Sequence, residues 1–122
     1  MPDRSKADII RGIFAAYLAN DRKFVEDCFT DDFRFTSPFD DSIDKATYFE
    51  RCWRVADWIA QHELERIVVE GDAAFVTYRC VARTGKSFRN TEFFRFEGDR
   101  IRGIDVYFGA SYQNDVFIRQ KS

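Results

Sequence analysis

Arg79 and Glu92 are ionisable residues set in strand-like text that is otherwise rich in aromatic and apolar side chains. The segment from Ala73 to Ala82 (AAFVTYRCVA) reads as one strand and Ser87 to Glu97 (SFRNTEFFRFE) as the next. Between them, Thr84-Gly85-Lys86-Ser87 places glycine first of two central residues, as a type II′ turn prefers. Pairing Thr84 with Ser87 then sets Arg79 directly opposite Glu92, each five residues from the turn. Their same-face neighbours would be Phe75, Thr77 and Val81 on one strand and Phe88, Asn90, Phe94 and Phe96 on the other. Unpaired buried charge is expensive. Either the two groups neutralise each other in the core, or they line a pocket in which Glu92 moves a proton and Arg79 holds an anionic oxygen.

Elements that could position such a pair are legible along the chain. Ser5 to Asp8 resembles a capping box, and Ile9, Ile10, Ile13, Phe14, Tyr17 and Leu18 recur at helical spacing. Asp21 can cap a second helix that buries Phe24, Val25, Cys28 and Phe29 and ends at Thr30 to Asp32. Phe33 to Pro38 alternates like a short strand, followed by a polar loop over Asp40 to Asp44. A third helix is predicted from Lys45 to about Trp58, burying Tyr48, Phe49, Cys52, Trp53 and Ala56. Four strands follow: Gln61–Glu70, Ala73–Ala82, Ser87–Glu97 and Arg100–Gly109, with hairpin-like joints at Gly71, Gly85 and Gly98. Helices first and a meander last make an α+β domain. A strongly curved antiparallel sheet could wrap the three N-terminal helices into a cone, a cystatin-like α+β barrel with a mouth.

Composition bounds the partners. The 122 residues form one expected domain, 1–122, and 45% are hydrophobic and 17% aromatic, which argues against disorder. A net charge of −2 without a basic run gives no support for nucleic acid or an anionic membrane surface. No apolar stretch approaches the roughly 20 residues that cross a bilayer. The opening, Met1 to Lys6, leads into an amphipathic pattern and not a signal-peptide core, so a cytoplasmic location is expected. Cys28, Cys52 and Cys80 lack metal-ligand spacing and read as buried thiols, and a single histidine excludes a histidine cluster. No metal or cofactor is expected.

Several segments resemble the SnoaL-like branch of the nuclear transport factor 2-like superfamily, which shares the ketosteroid isomerase-like fold. They are Ile13 to Asp21 (IFAAYLAND), Phe33 to Phe39 (FRFTSPF), Asp44 to Trp53 (DKATYFERCW), Phe88 to Phe94 (FRNTEFF) and Val106 to Gly109 (VYFG). The resemblance implies the conical fold, a homodimer and a small-molecule pocket, but this superfamily hosts isomerases, hydrolases, cyclases, dehydratases and non-catalytic binders. By similarity to the isomerases, Tyr17 matches the hydrogen-bonding tyrosine and Glu92 the oxyanion-hole acid. Ser37, ahead of Pro38, stands where those enzymes have their catalytic aspartate, so their mechanism does not transfer intact. By similarity to limonene epoxide hydrolases, Arg79 fits the bridging arginine, but Val81 and Val106 replace both aspartates.

Two functions remain open on this reading. One is an isomerase, cyclase or lyase acting on a small apolar carbonyl or carboxyl compound through Glu92, Arg79 and Tyr17. The other is a non-catalytic binding or accessory domain in which Arg79–Glu92 is a structural ion pair. In both, the pocket is expected to be lined also by Phe35, Ser37, Trp53, Phe75, Phe88, Asn90, Val106 and Phe108. His62 is weighed as a rim residue or a base, and Asp40 and Asp41 as loop charge or mouth-facing carboxylates. The outward set Val76, Tyr78, Cys80, Thr91, Phe93 and Tyr107 would be the dimer face.

Overall fold

Capping side chains start all three helices where the sequence places them. In the computed structural model, which describes residues 5–120 without the side chain of Val55, Ser5 accepts from the Asp8 amide and opens α1 (Lys6–Ala19). Asp21 caps α2 (Arg22–Cys28) and Asp44 caps α3 (Lys45–Cys52) in the same way. Met1 to Arg4, the start of the opening segment read above, lie outside the described residues. The third helix stops at Cys52, well short of Trp58, and a 3-10 turn over Val55–Asp57 carries the chain into the sheet.

The sheet contains β1 (Phe29–Ser37), β2 (Asp40–Asp44), β3 (Ile59–Glu70), β4 (Ala73–Ala82), β5 (Lys86–Glu97), β6 (Arg100–Gln113) and β7 (Val116–Ile118). Their order is β2-β1-β6-β5-β4-β3, with β7 paired to the far end of β6. The loop expected over Asp40 to Asp44 is strand β2, an edge strand whose acidic text suits a place with one side unpaired. All pairings are antiparallel except β1 with β6, which run parallel because the helical segment between β1 and β3 returns the chain to the far edge. Register shifts interrupt β1–β2, β1–β6, β3–β4 and β5–β6, and such bulges bend strands. The outcome is a curved, unclosed sheet around three helices, the conical α+β fold expected from the element order. No described helix is long and apolar enough to cross a membrane.

The buried core lies between α1 and the concave face. Ile9, Ile10 and Ile13 of α1 meet Val76, Phe94, Phe96 and Ile104 there, all buried. Phe29 stacks on Phe33 at 4.0 Å, and Tyr48 and Phe49 of α3 close over that pair.

The turn between β4 and β5 corrects the sequence reading. Arg83, Thr84 and Gly85 form the loop, the Gly85 amide donates to the Ala82 carbonyl at 3.1 Å, and Gly85 takes φ +88°. Gly85 is therefore the left-handed residue of a three-residue hairpin loop, not the first centre of a two-residue turn. Val81 pairs with Ser87, Tyr78 with Asn90, Val76 with Glu92 and Arg79 with Arg89. The odd shift turns the even positions of β4 inward. Val76, Tyr78 and Cys80, expected to face outward, are buried on the concave side, while Phe75 is 48% exposed on the convex side. Arg79 also lies on the convex side, against Glu63 at 3.3 Å and Asp115 at 3.5 Å. The Arg79–Glu92 pair does not exist.

The same turn holds the C-terminal hairpin, because the Asn114 amide donates to the Gly85 carbonyl at 3.0 Å. Gly98 also has positive φ, +64°, but a Cβ there meets nothing within 4 Å. Gly98→Ala should lower unfolding free energy by about 1 kcal/mol, the penalty for a left-handed residue bearing a Cβ. Gly85→Ala should lose more, since its Cβ would fall 2.2 Å from Asn114 Oδ1. Urea unfolding of both variants checks that order, and equal losses would mean that the β4–β5 turn and the C-terminal hairpin are not coupled.

Candidate functional site

A cavity of about 510 Å³ opens between α1, α3 and the concave face of β3 to β6. Its wall is mainly apolar, with Phe14 from α1, Phe35 from β1, Phe88 from β5, and Val106 and Phe108 from β6. Phe39 and Trp58, 77% and 51% exposed, stand at the mouth.

One polar set crosses the sheet inside this wall. Asn90 Nδ2 donates to the Tyr78 hydroxyl at 3.1 Å, and that hydroxyl donates to Glu92 Oε2 at 2.5 Å. Burial pushes the Glu92 carboxyl up from its ordinary 4.5 to about 7, against a smaller lowering by the Tyr78 hydrogen bond. Arg79, on the opposite face, contributes no compensating charge to this site. Glu92 is thus a carboxyl whose neutral and ionised forms coexist near neutrality. Burial also raises the Tyr78 phenol well above its usual range, and Glu92 raises it further, so it remains a donor.

A second set comes from the helices. The hydroxyls of Tyr17 on α1 and Tyr48 on α3 hydrogen-bond to each other, and both line the cavity. Burial raises both phenols far above their usual range. Two hydroxyls carry two protons and their mutual bond uses one, which leaves one O–H for a ligand oxygen. Trp53 does not line the cavity; it is buried behind Tyr17, with ring centroids 5.3 Å apart, and braces that side chain.

At the mouth, Ser37 Oγ donates to Asp40 Oδ2 at 3.0 Å and accepts from the Phe39 amide at 3.1 Å. The Asp40 side chain is only 7% exposed and sits 2.9 Å from the Arg51 guanidinium. Asp41 is exposed and absent from the wall. His62, on β3 opposite Cys80, lines the cavity edge-on to Phe14 and Tyr78. Burial pushes its imidazole down to about 4, partly offset by a backbone hydrogen bond at Phe14, so it is uncharged near neutrality. Burial also raises the thiols of Cys52 and Cys80, to about 11 and about 12, with Asp40 and Glu92 respectively adding to the effect. Neither is a thiolate nucleophile near neutrality.

Of the expected site residues, the cavity gathers Tyr17, Phe35, Ser37, Phe88, Asn90, Glu92, Val106 and Phe108. It excludes Arg79, Phe75 and Trp53: the first two because of the β4 register, the third because it packs behind Tyr17. The reading missed Tyr78 and Tyr48, one assigned to the outer face and the other to the helix core. One signal for Tyr78 lay in β4 itself, where Ala74, Val76, Tyr78, Cys80 and Ala82 carry no charge and the alternate set carries Arg79.

The raised Glu92 value has a consequence for stability. Folded, the carboxyl holds its proton up to about pH 7; unfolded, it releases it near 4.5. Between these values the folded state binds more protons, so this contribution to stability falls as pH rises through the window and is level above it. The full change is on the order of 3 kcal/mol. Urea unfolding of the wild type and Glu92→Gln at pH 5 and pH 8 isolates it: the substitution should improve relative stability at pH 8. A pH-independent difference would mean that the carboxyl is well solvated.

The fold has many solved counterparts. An NTF2-like protein from Cytophaga hutchinsonii superposes with a TM-score of 0.74 at 15% identity, over 88% of this chain and 92% of the other. A protein from Jannaschia sp. CCS1, named as a candidate SnoaL-like polyketide cyclase, gives 0.69 at 16% identity over 88% and 91%. A de novo designed protein with a curved β-sheet gives 0.73 at 12% identity over 87% and 86%. Among curated proteins none matches. The family model described as the SnoaL-like domain matches residues 10–104, most of the chain, and by that match this protein belongs to the SnoaL-like family.

Proposed function

We propose that this protein is an acid–base catalyst acting on a small, largely apolar carbonyl compound, with Glu92 moving the proton. The observation that carries this reading is a carboxyl near pKa 7, desolvated on the wall of an aromatic cavity and hydrogen-bonded through one oxygen to Tyr78. An acid–base group works best when its pKa lies near the working pH. In the ionised form Glu92 takes a proton from the carbon beside the carbonyl, and the C–H electron pair passes into an enolate. The spare O–H of the Tyr17–Tyr48 pair donates to the developing oxyanion. Glu92 then returns the proton to carbon or oxygen, as an isomerase, cyclase or lyase would each require. The name of the Jannaschia neighbour is in keeping with chemistry of this kind.

A second reading, ligand binding without chemistry, has one observation in its favour. Ser37 occupies the place ahead of Pro38 where the related isomerases carry their base, and its hydroxyl is committed to Asp40 and the Phe39 amide. Hydrogen–deuterium exchange at the α-carbons of 2-tetralone, an apolar enolisable ketone, separates the two. On the catalytic reading the protein accelerates exchange, the rate rises with pH through about 7 and then levels. Glu92→Gln should then lower it by about 10²- to 10⁴-fold while leaving tetralone affinity within a few-fold. Binding with no acceleration, or exchange untouched by the substitution, would leave the binding reading standing.

For assembly, we propose a homodimer across the convex face, where Phe75 and Tyr107 are 48% and 58% exposed and Phe75 packs on Phe93. Phe75→Glu should convert a dimer into a monomer in sedimentation equilibrium, and an unchanged mass would count against this face.

A further inference from the structure

Glu92 presents its two oxygens to different surroundings. Oε2 accepts from the Tyr78 hydroxyl at 2.5 Å. Oε1 makes no hydrogen bond, yet it is not one of the enclosed unpartnered atoms among the described residues, which are Asp40 Oδ1, His62 Nδ1, Ser87 Oγ and Asn90 Oδ1. Oε1 is therefore the oxygen that a molecule in the cavity meets. Behind Tyr78 stands Asn90, whose Nδ2 donates to the same hydroxyl at 3.1 Å. Tyr78 of β4 lies opposite Asn90 of β5, and Glu92 is the next residue on that face of β5.

A phenol has a single proton. With the Asn90 amide donating to its oxygen, that proton points at Glu92, and each bond in the chain polarises the next. The direction matters most when Glu92 is neutral. A carboxyl that accepts through Oε2 carries its own proton on Oε1, on the cavity side. Were the Tyr78 hydroxyl turned round, it would accept from a proton on Oε2, and the acid would hold that proton inside the wall. An amide N–H at Asn90 opposes the turn, because a reversed O–H would set donor against donor.

Resting on the proposal that Glu92 moves the proton, we infer that Asn90 is a positioning residue, which aims the Tyr78 hydroxyl at Glu92 Oε2 and thereby keeps the transferable proton on Oε1. Asn90 has no hydrogen bond to Glu92 itself and acts through Tyr78. Proton uptake and return then occur at Oε1, the one oxygen that faces the bound molecule.

The titration midpoint of Glu92, followed by carbon-13 NMR of glutamate-labelled protein and assigned with Glu92→Gln, reads this without any turnover. The wild type should titrate at about 7. Tyr17 of α1, Tyr48 of α3, and Tyr78 and Cys80 of β4 keep their protons through this range, and His62 of β3 stays uncharged. Tyr78→Phe should raise the midpoint by about one to two pH units, the effect of losing a hydrogen bond to an ionised group. Asn90→Leu should raise it by roughly 0.2–0.5 in the wild-type background and by nothing measurable in the Tyr78→Phe background. Asn90→Ala takes its place in the same cycle if circular dichroism shows that leucine disturbs the fold. An equal rise in both backgrounds would mean that Asn90 acts by local polarity alone, and no rise in either would remove it from the chain; each overturns the inference. Exchange of 2-tetralone is the separate readout, and its rise with pH should follow each variant's midpoint. The expected midpoints without accelerated exchange would overturn catalysis while supporting the placement of the proton.

Discussion

Between β4 and β5 the chain turns through three residues with Gly85 at φ +88°, and the pairing this imposes brings Tyr78 into reach of both Asn90 and Glu92. The rest of the site follows from that register. With the even positions of β4 turned inward, the concave face receives a phenol, and Arg79 goes to the convex face among Glu63 and Asp115. Magnitudes then decide the state of Glu92. Desolvating a carboxylate costs several kcal/mol even after relaxation. One hydrogen bond to an ionised group returns roughly 1.5–3 kcal/mol, so Tyr78 alone leaves the proton favoured, in line with a carboxyl raised to about 7. An inward Arg79 would have reversed that balance and made Glu92 a permanent anion.

The helices, the curved sheet and most of the wall were legible in the chain because each rests on a local signal. Ser5 and Asp21 mark helix starts by their own capping bonds. Phe88, Asn90 and Glu92 on β5, with Val106 and Phe108 on β6, fall on the cavity side by simple alternation. The β4 face was not legible in the same way. Glycine at position 85 suits either a two-residue turn or a three-residue loop, and the two differ by an odd register shift that exchanges the faces. Tyr48 is buried on α3 as its spacing predicts, and its place in the wall went unread because periodicity marks the buried stripe of a helix but not where a cavity interrupts the packing beneath it. Strand β2 is brief, acidic and at an edge, which is how loops also read.

Likeness of fold carries little of the functional argument, since a designed protein with a curved sheet superposes as well as a natural NTF2-like protein does. A cone of this shape follows from bulged strands packed on helices, and it needs no ligand to form. What particularises this chain is the pair of phenol networks inside it. Tyr17–Tyr48 joins two helices, and Asn90–Tyr78–Glu92 joins two strands. Either could have been replaced by apolar packing at little loss of stability.

The charge state of the cavity narrows what it can select. His62 is uncharged near neutrality, the phenols and thiols keep their protons, and Glu92 is divided between its two forms. The charges at the mouth are met locally, Arg51 by Asp40 and Arg54 by Asp57. Among the described residues, a ligand entering this space meets at most one interior negative charge and no interior cation. Discrimination inside the cone therefore rests on hydrogen-bond geometry within an aromatic wall, where the Glu92 carboxyl and one spare phenol proton distinguish molecules of similar size. The same neutrality makes Glu92 responsive: an anionic oxygen developing beside it would favour its protonated form and couple proton movement to the chemistry of the bound molecule.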